Sequence, residues 1–163
     1  GLDTAFAYGI MRQESRFISV ARSGVGATGL MQVMPATAKW TAKKIGMTDY
    51  NPSQLSDPTV NIALGTSYLQ LVLNDFDGHP AMASAAYNAG PGNVRKWRDG
   101  PDLEGAVWVE NIPFYETRDY VKKVLSNTVV YAGLMTGQAQ SLKAKLTPVG
   151  PLRVGTPIDT SLP

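Results

Sequence analysis

Leu2, Phe6, Ile10 and Phe17 recur at helical spacing and mark one apolar stripe, which predicts a first helix with Asp3 as its cap. Glu14 falls on that stripe, among positions the helix would bury. After Phe17 the pattern gives way to a loop of small residues, Ser23-Gly24-Val25-Gly26-Ala27-Thr28-Gly29. Pro35 fits the first position of a second helix that ends near Gly46. Asp57-Pro58 is a cap followed by a helix-starting proline, and Ile62, Leu69, Val72 and Phe76 line the helix behind it, which stops by Gly78. A further helix runs from about Pro80 to Ala89 and is closed by Gly90, and Pro91 restarts a short one through Trp97. The stretch from Asp102 to Asn111 has room for one turn or two. Pro113 opens the longest helix, with Thr117, Val121, Val124, Thr128 and Ala132 on one face and Gly137 at its end. Strand signals are poor throughout, so the pattern predicts a compact all-α domain.

Beyond that helix the periodicity dissolves. Four prolines lie between Pro148 and Pro163 with no sustained apolar period. The expected organisation is a helical domain over 1–140 and a Pro-rich extended C-terminal tail over 141–163, packed on the domain or bound to a neighbouring one. There is no internal repeat.

Composition narrows the chemistry. The chain has 163 residues, 44% hydrophobic and 17% charged, enough for one domain with a core. The net charge of +2 is too mild and too dispersed for a nucleic-acid-binding module. No apolar run approaches the roughly 18 residues of a membrane span. The absence of cysteine removes thiol nucleophiles, disulfides and thiolate metal sites. A single histidine, His79, cannot build a histidine metal cluster, and no serine partner for it is evident in the sequence. The chain starts at Gly1 without an initiating Met, so it reads as a cut-out domain or mature fragment, and the lack of a leader says nothing of location.

Glu14 is the residue with the most to explain. Burial disfavours the charged form of a carboxyl group and raises its pKa, which is how a protein obtains a proton donor near neutral pH. The bland alternative is a partly buried glutamate paired with Arg12 or Arg16.

Four segments stand out beside it: Gln13-Glu14-Ser15, Gly29-Leu30-Met31-Gln32-Val33-Met34-Pro35, Ala85-Ala86-Tyr87-Asn88-Ala89-Gly90-Pro91-Gly92-Asn93-Val94, and Ile112-Pro113-Phe114-Tyr115-Glu116-Thr117-Arg118-Asp119-Tyr120-Val121. In that order and spacing they resemble the catalytic domain of soluble lytic murein transglycosylases, which have a goose-type lysozyme-like fold with a long substrate groove. The resemblance runs from about Phe6 to Tyr131. It implies cleavage of the bond between N-acetylmuramic acid and N-acetylglucosamine in peptidoglycan without water. It also implies one carboxyl group, Glu14, acting first as general acid and then as base to leave a 1,6-anhydromuramoyl end. Ordinary glycosidases need two carboxylates flanking the bond.

The same resemblance assigns further residues. Tyr87 matches a tyrosine whose hydroxyl reaches the acid and orients it. Gln32 and Met34 match positions lining the saccharide subsites, Met34 with plain core packing as its alternative. Ser23 matches a serine placed to contact the substrate acetamido group, although a serine in such a loop is ordinarily turn chemistry. Tyr68 matches a groove tyrosine. Asn88 either bonds a sugar N-acetyl group or closes its own helix. Glu116 matches the second acidic residue of the groove, a substrate contact rather than a nucleophile, and Tyr120 shares its face. Glu110 is the spare carboxylate. No metal or organic cofactor is implied.

The implied partners are peptidoglycan glycan strands and an N-terminal helical superhelix domain of the same full-length protein, with no nucleic acid. The implied location is the periplasm. The rival readings are a goose-type lysozyme that hydrolyses the same bond and a catalytically silent murein-binding module.

Overall fold

The computed structural model describes residues 1–163 and contains seven α-helices and no strand. Helix α1, Thr4–Ser15, begins where the Asp3 carboxylate accepts the Ala5 N–H. It ends two residues short of the predicted stripe. The Ser15 hydroxyl donates to the Met11 carbonyl and accepts the Phe17 N–H, and Arg16 and Phe17 both turn into the left-handed region at φ 53° and 63°. Phe17 therefore leaves the core face and stands 44% exposed, edge-on to Tyr8 and Tyr131.

Five further helices are α2 (Pro35–Lys44), α3 (Pro58–Asp75), α4 (Pro80–Ala89), α5 (Pro91–Trp97) and α6 (Gly105–Glu110). Each of the first four starts with proline in its first turn, where the missing N–H has no intrahelical partner to lose. Asp57 caps α3 through the Val60 N–H. The ambiguous stretch resolves into the single short helix α6. The longest helix, α7, spans Tyr115–Thr136 and closes on Gly137 at φ 69°. Helix α4 is buried from Ala81 to Ala86, and apart from Met82 these residues are small, which lets α3, α5 and α7 pack around it.

The pairing of α1 with α7 is the most extensive in the molecule. It is also very close: a Cβ on Gly9 would come within 2.5 Å of the Thr128 hydroxyl and 2.9 Å of the Val124 carbonyl. Only glycine permits that approach, and the approach fixes which residues of the two helices face one another.

Between α1 and α2 the chain forms a loop with two isolated antiparallel bridges, Arg22 to Thr28 and Thr28 to Val33. Its anchor is Asn61 of α3, fully buried, which accepts the Met31 N–H (2.9 Å) and donates to the carbonyls of Thr28 (2.8 Å) and Leu55 (2.9 Å). Gly29, at φ 80°, lies against this amide.

Residues 141–163 contain one 3₁₀ turn, Lys143–Lys145, and run along the helical body. Leu103 and Val149 exchange backbone hydrogen bonds. His79 caps α4 through the Met82 N–H and donates from Nε2 to Thr147 (2.7 Å), and burial lowers its pKa. Arg98 donates to the carbonyl of Gly150, and Leu162 joins the hydrophobic core. No helix is long and apolar enough to cross a membrane.

Candidate active site

Glu14 sits in the last turn of α1, and the α1–α7 register sets Tyr120 opposite it. The Tyr120 hydroxyl donates to Glu14 Oε1 at 2.7 Å, the one hydrogen bond the carboxyl group makes. None of the six salt bridges involves Glu14, so the pairing with Arg12 or Arg16 does not occur. Burial raises its pKa from 4.5 to about 7; the Tyr120 bond pulls it down, and the nearby Glu116 carboxylate pushes it further up. The result is a carboxyl group that holds its proton at near-neutral pH beside a neutral phenol.

The tyrosine bonded to Glu14 is thus Tyr120 and not Tyr87. Tyr87 reaches from α4 and donates its hydroxyl to the carbonyl of Met31 at 2.7 Å. Both phenols are raised well above their ordinary pKa, first by burial and then by the Glu14 charge, so Tyr87 is near the carboxyl group without bonding it.

The other predicted residues fall into distinct situations. Gln32 adopts φ 49° and commits its amide N–H₂ inward, to the carbonyls of Ala21 (3.0 Å) and Gly29 (2.8 Å), which leaves only its oxygen for a ligand. Met34 is 39% exposed at the start of α2, so core packing is not its role. Ser23 is exposed, and its hydroxyl accepts the Ala27 N–H, which is turn chemistry. Asn88 does not close its own helix; its oxygen accepts from the Thr117 hydroxyl of α7 (2.8 Å), which leaves its amide N–H₂ unused. Glu116 stands exposed in the first turn of α7, close enough to act on Glu14 through its charge. Glu110 pairs with Lys122 at 2.6 Å on the surface.

Tyr68 differs most from its expected part. It is 6% exposed, its ring lies 5.6 Å from that of Tyr87 and 6.4 Å from that of Trp40, and its hydroxyl donates to the main-chain oxygen of Pro163 at 2.6 Å. It faces the tail and not an open groove.

Two residues that support this site are given no role in it by the sequence pattern. Asn61 pins the loop that holds Met31 and Gln32, and Thr117 orients Asn88. No group of three or more histidine, aspartate or glutamate side chains is placed to hold a metal ion.

The transglycosylase SLT domain family matches residues 1–104, and the soluble lytic transglycosylase helical domain matches residues 111–140. The chain is 46% identical over 144 residues to the soluble lytic murein transglycosylase of Salmonella typhimurium, covering 86% of this chain and 22% of that protein. It is 47% identical over 134 residues to the Escherichia coli K12 protein of the same name, covering 80% of this chain and 21% of that protein. Among solved structures it is similar to an inactive mutant of the lytic transglycosylase Slt from Pseudomonas aeruginosa, at 49% identity and TM-score 0.83 over 90% of this chain and 24% of that one. It is similar as well to the 70-kDa soluble lytic transglycosylase in complex with bulgecin A, at 44% identity and TM-score 0.77 over 83% of this chain and 22% of that one. The chain spans about a fifth of the length of the curated relatives it matches.

Proposed function

Because the chain belongs to the transglycosylase SLT domain family, we propose that it cleaves the β-1,4 bond between N-acetylmuramic acid and N-acetylglucosamine in murein by intramolecular transglycosylation. The observation that carries this reading is Glu14: one largely desolvated carboxyl group, unpaired with any cation, held by a neutral hydroxyl and protonated up to about pH 7.

In the first half of the reaction Glu14 gives its proton to the glycosidic oxygen. The C1–O bond breaks, and N-acetylglucosamine leaves with a free hydroxyl. The substrate's acetamido oxygen stabilises the positive C1 of the muramic residue. Glu14, now a carboxylate, takes the proton of the muramic C6 hydroxyl as O6 bonds to C1. The ring closes as a 1,6-anhydro sugar, Glu14 regains its proton and no water is consumed. One carboxyl group suffices because the base of the second step is the spent acid of the first.

The half-buried, unused amide N–H₂ of Asn88, the free oxygen of Gln32 and the exposed thioether of Met34 are the groups available to hold sugar rings. Glu116 and Ser23 are exposed, which leaves both within reach of a glycan, Ser23 through the hydroxyl proton that its turn does not use. Murein as substrate implies a periplasmic location. The helical-domain match on α7, with the short coverage of the relatives, supports an N-terminal helical superhelix domain as the companion of this one.

Hydrolysis of the same bond is the second reading, favoured by one observation: Glu116 lies near enough to influence Glu14, and a second carboxylate is what a water-activating enzyme needs. Mass spectrometry of products from purified peptidoglycan separates the two. Muropeptides lighter by one water than their reducing forms are expected. Reducing ends in their place would make this a lysozyme, and no product from the folded protein would leave a binding module.

The rate should also carry the mark of a single acid. Since Glu14 must be protonated at rest, kcat/KM should fall about tenfold for each pH unit above about 7 and show no second carboxylate pKa in that limb. A rate that stays level up to pH 9 would remove Glu14 from the role of acid.

A further inference from the structure

The tail from Asp159 to Pro163 is fastened with more charge than a trailing segment needs. Asp75, whose side chain is 6% exposed, accepts the Asp159 N–H at 2.8 Å and Arg95 Nη2 at 2.6 Å. The same Arg95 nitrogen donates to the Asp159 carbonyl at 2.9 Å. The Asp159 carboxylate accepts from Lys44 Nζ at 2.7 Å and from the Ser161 N–H at 3.0 Å. Elements α2, α3 and α5 therefore converge on one tail residue. Three residues on, Leu162 is 8% exposed in the core, and the main-chain oxygen of Pro163 accepts from Tyr68.

Tyr68 has no other hydrogen-bond partner. The residue is buried, and a buried hydroxyl without an acceptor is costly, so the acceptor supplied by the tail favours this placement of the ring. From Tyr68 the contacts lead inward: its ring packs on Tyr87, and Tyr87 donates to the carbonyl of Met31. Met31 immediately precedes Gln32 and lies three residues before Met34 in the segment proposed to hold the saccharide.

We propose that the Asp159–Pro163 segment is a positioning element of the glycan site, acting through Tyr68 and Tyr87 on the Met31–Met34 segment. The proposal rests on the transglycosylase reading. It also gives Tyr68 its place: a link between the tail and the site, with its hydroxyl spent on the tail and none left for the sugar. Glu14 is held separately, by Tyr120, so the tail governs how strands are gripped and not how the proton moves.

The test is glycan affinity measured apart from chemistry. Glu14→Gln serves as a non-turnover parent, and its Kd for soluble, uncross-linked murein glycan strands is measured by calorimetry, alone and with Asp159→Ala. Asp159→Ala is expected to weaken binding about tenfold, equivalent to about 1.4 kcal/mol. In the Glu14-containing protein the same substitution should leave kcat at saturating strands within about twofold, and leave the alkaline limb of the pH profile in place. Leu162→Ala should act in the same direction. If Asp159→Ala lowers Tm with Kd unchanged, the tail is a structural staple only and the proposal is wrong. If kcat falls while Kd holds, the tail acts on the chemistry and the proposal is equally wrong. A folded parent that binds no strands at all would overturn the transglycosylase reading, and this inference with it.

Discussion

Glu14→Gln should reduce turnover by at least about a thousandfold while making the protein more resistant to heat at neutral pH. The loss follows from the two uses of one group. An amide neither donates the proton that frees the leaving sugar nor accepts the C6 hydroxyl proton, and each such transfer is worth about 10²–10⁴ in rate. The gain in stability follows from burial. The carboxyl group titrates near 4.5 in the unfolded chain and near 7 in the native one, so the native state binds more protons between those values. Stability contributed by the neutral form is full below pH 4.5, declines as pH rises through the window and is lost above about 7. That difference corresponds to about 3 kcal/mol at most. Glutamine carries no charge to desolvate, and its oxygen can still accept the Tyr120 hydroxyl. The Tm advantage of the variant should thus be small at pH 4, grow through pH 6 and level off by pH 8. Melting curves at those three values test it. An advantage that does not depend on pH would mean that Glu14 is not desolvated, and substantial residual turnover would mean that it is not the acid.

Helix boundaries were legible because they are local chemistry. Asp57-Pro58, Pro35, Pro80 and Pro91 act on backbone groups within one turn, so a linear reading finds α2 to α5 and their starts. The end of α1 was not legible in the same way. Phe17 continues the apolar spacing, but the Ser15 hydroxyl and two left-handed residues terminate the helix first, and spacing alone cannot register that competition. Glu14 was legible as a polar residue on an apolar stripe. Its partner was not, because the choice between Tyr87 and Tyr120 depends on how α1 is placed against α7. That placement is set by the contact of Gly9 with Val124 and Thr128, more than a hundred residues away in sequence. Asn61 shows the same limit: nothing around it in α3 announces that it holds a loop thirty residues earlier. The tail is illegible for a different reason. It is held by a charge cluster at Asp159 and by single backbone contacts, neither of which produces a period.

Tyr120→Phe tests the reassigned tyrosine, and it should lower kcat/KM by about ten- to a hundredfold, as expected for one orienting hydrogen bond to a charged transition-state partner. A second signature makes the result specific. The Tyr120 bond favours the carboxylate and lowers the Glu14 pKa, so its removal should move that pKa further up. The alkaline limb of the rate should shift to higher pH even as the plateau drops, and a variant that was merely loosened in its packing would not show that combination. Tyr87→Phe supplies the contrast. Its hydroxyl serves the Met31 carbonyl, so its loss should weaken strand binding and leave the limb where it was. The two tyrosines are close in space, and both feel the Glu14 charge, so a comparison of pH profiles discriminates better than a comparison of rates. Should Tyr87→Phe move the limb and Tyr120→Phe leave it, the acid would change partners when the glycan binds, and Tyr87 would regain the orienting role in the complex.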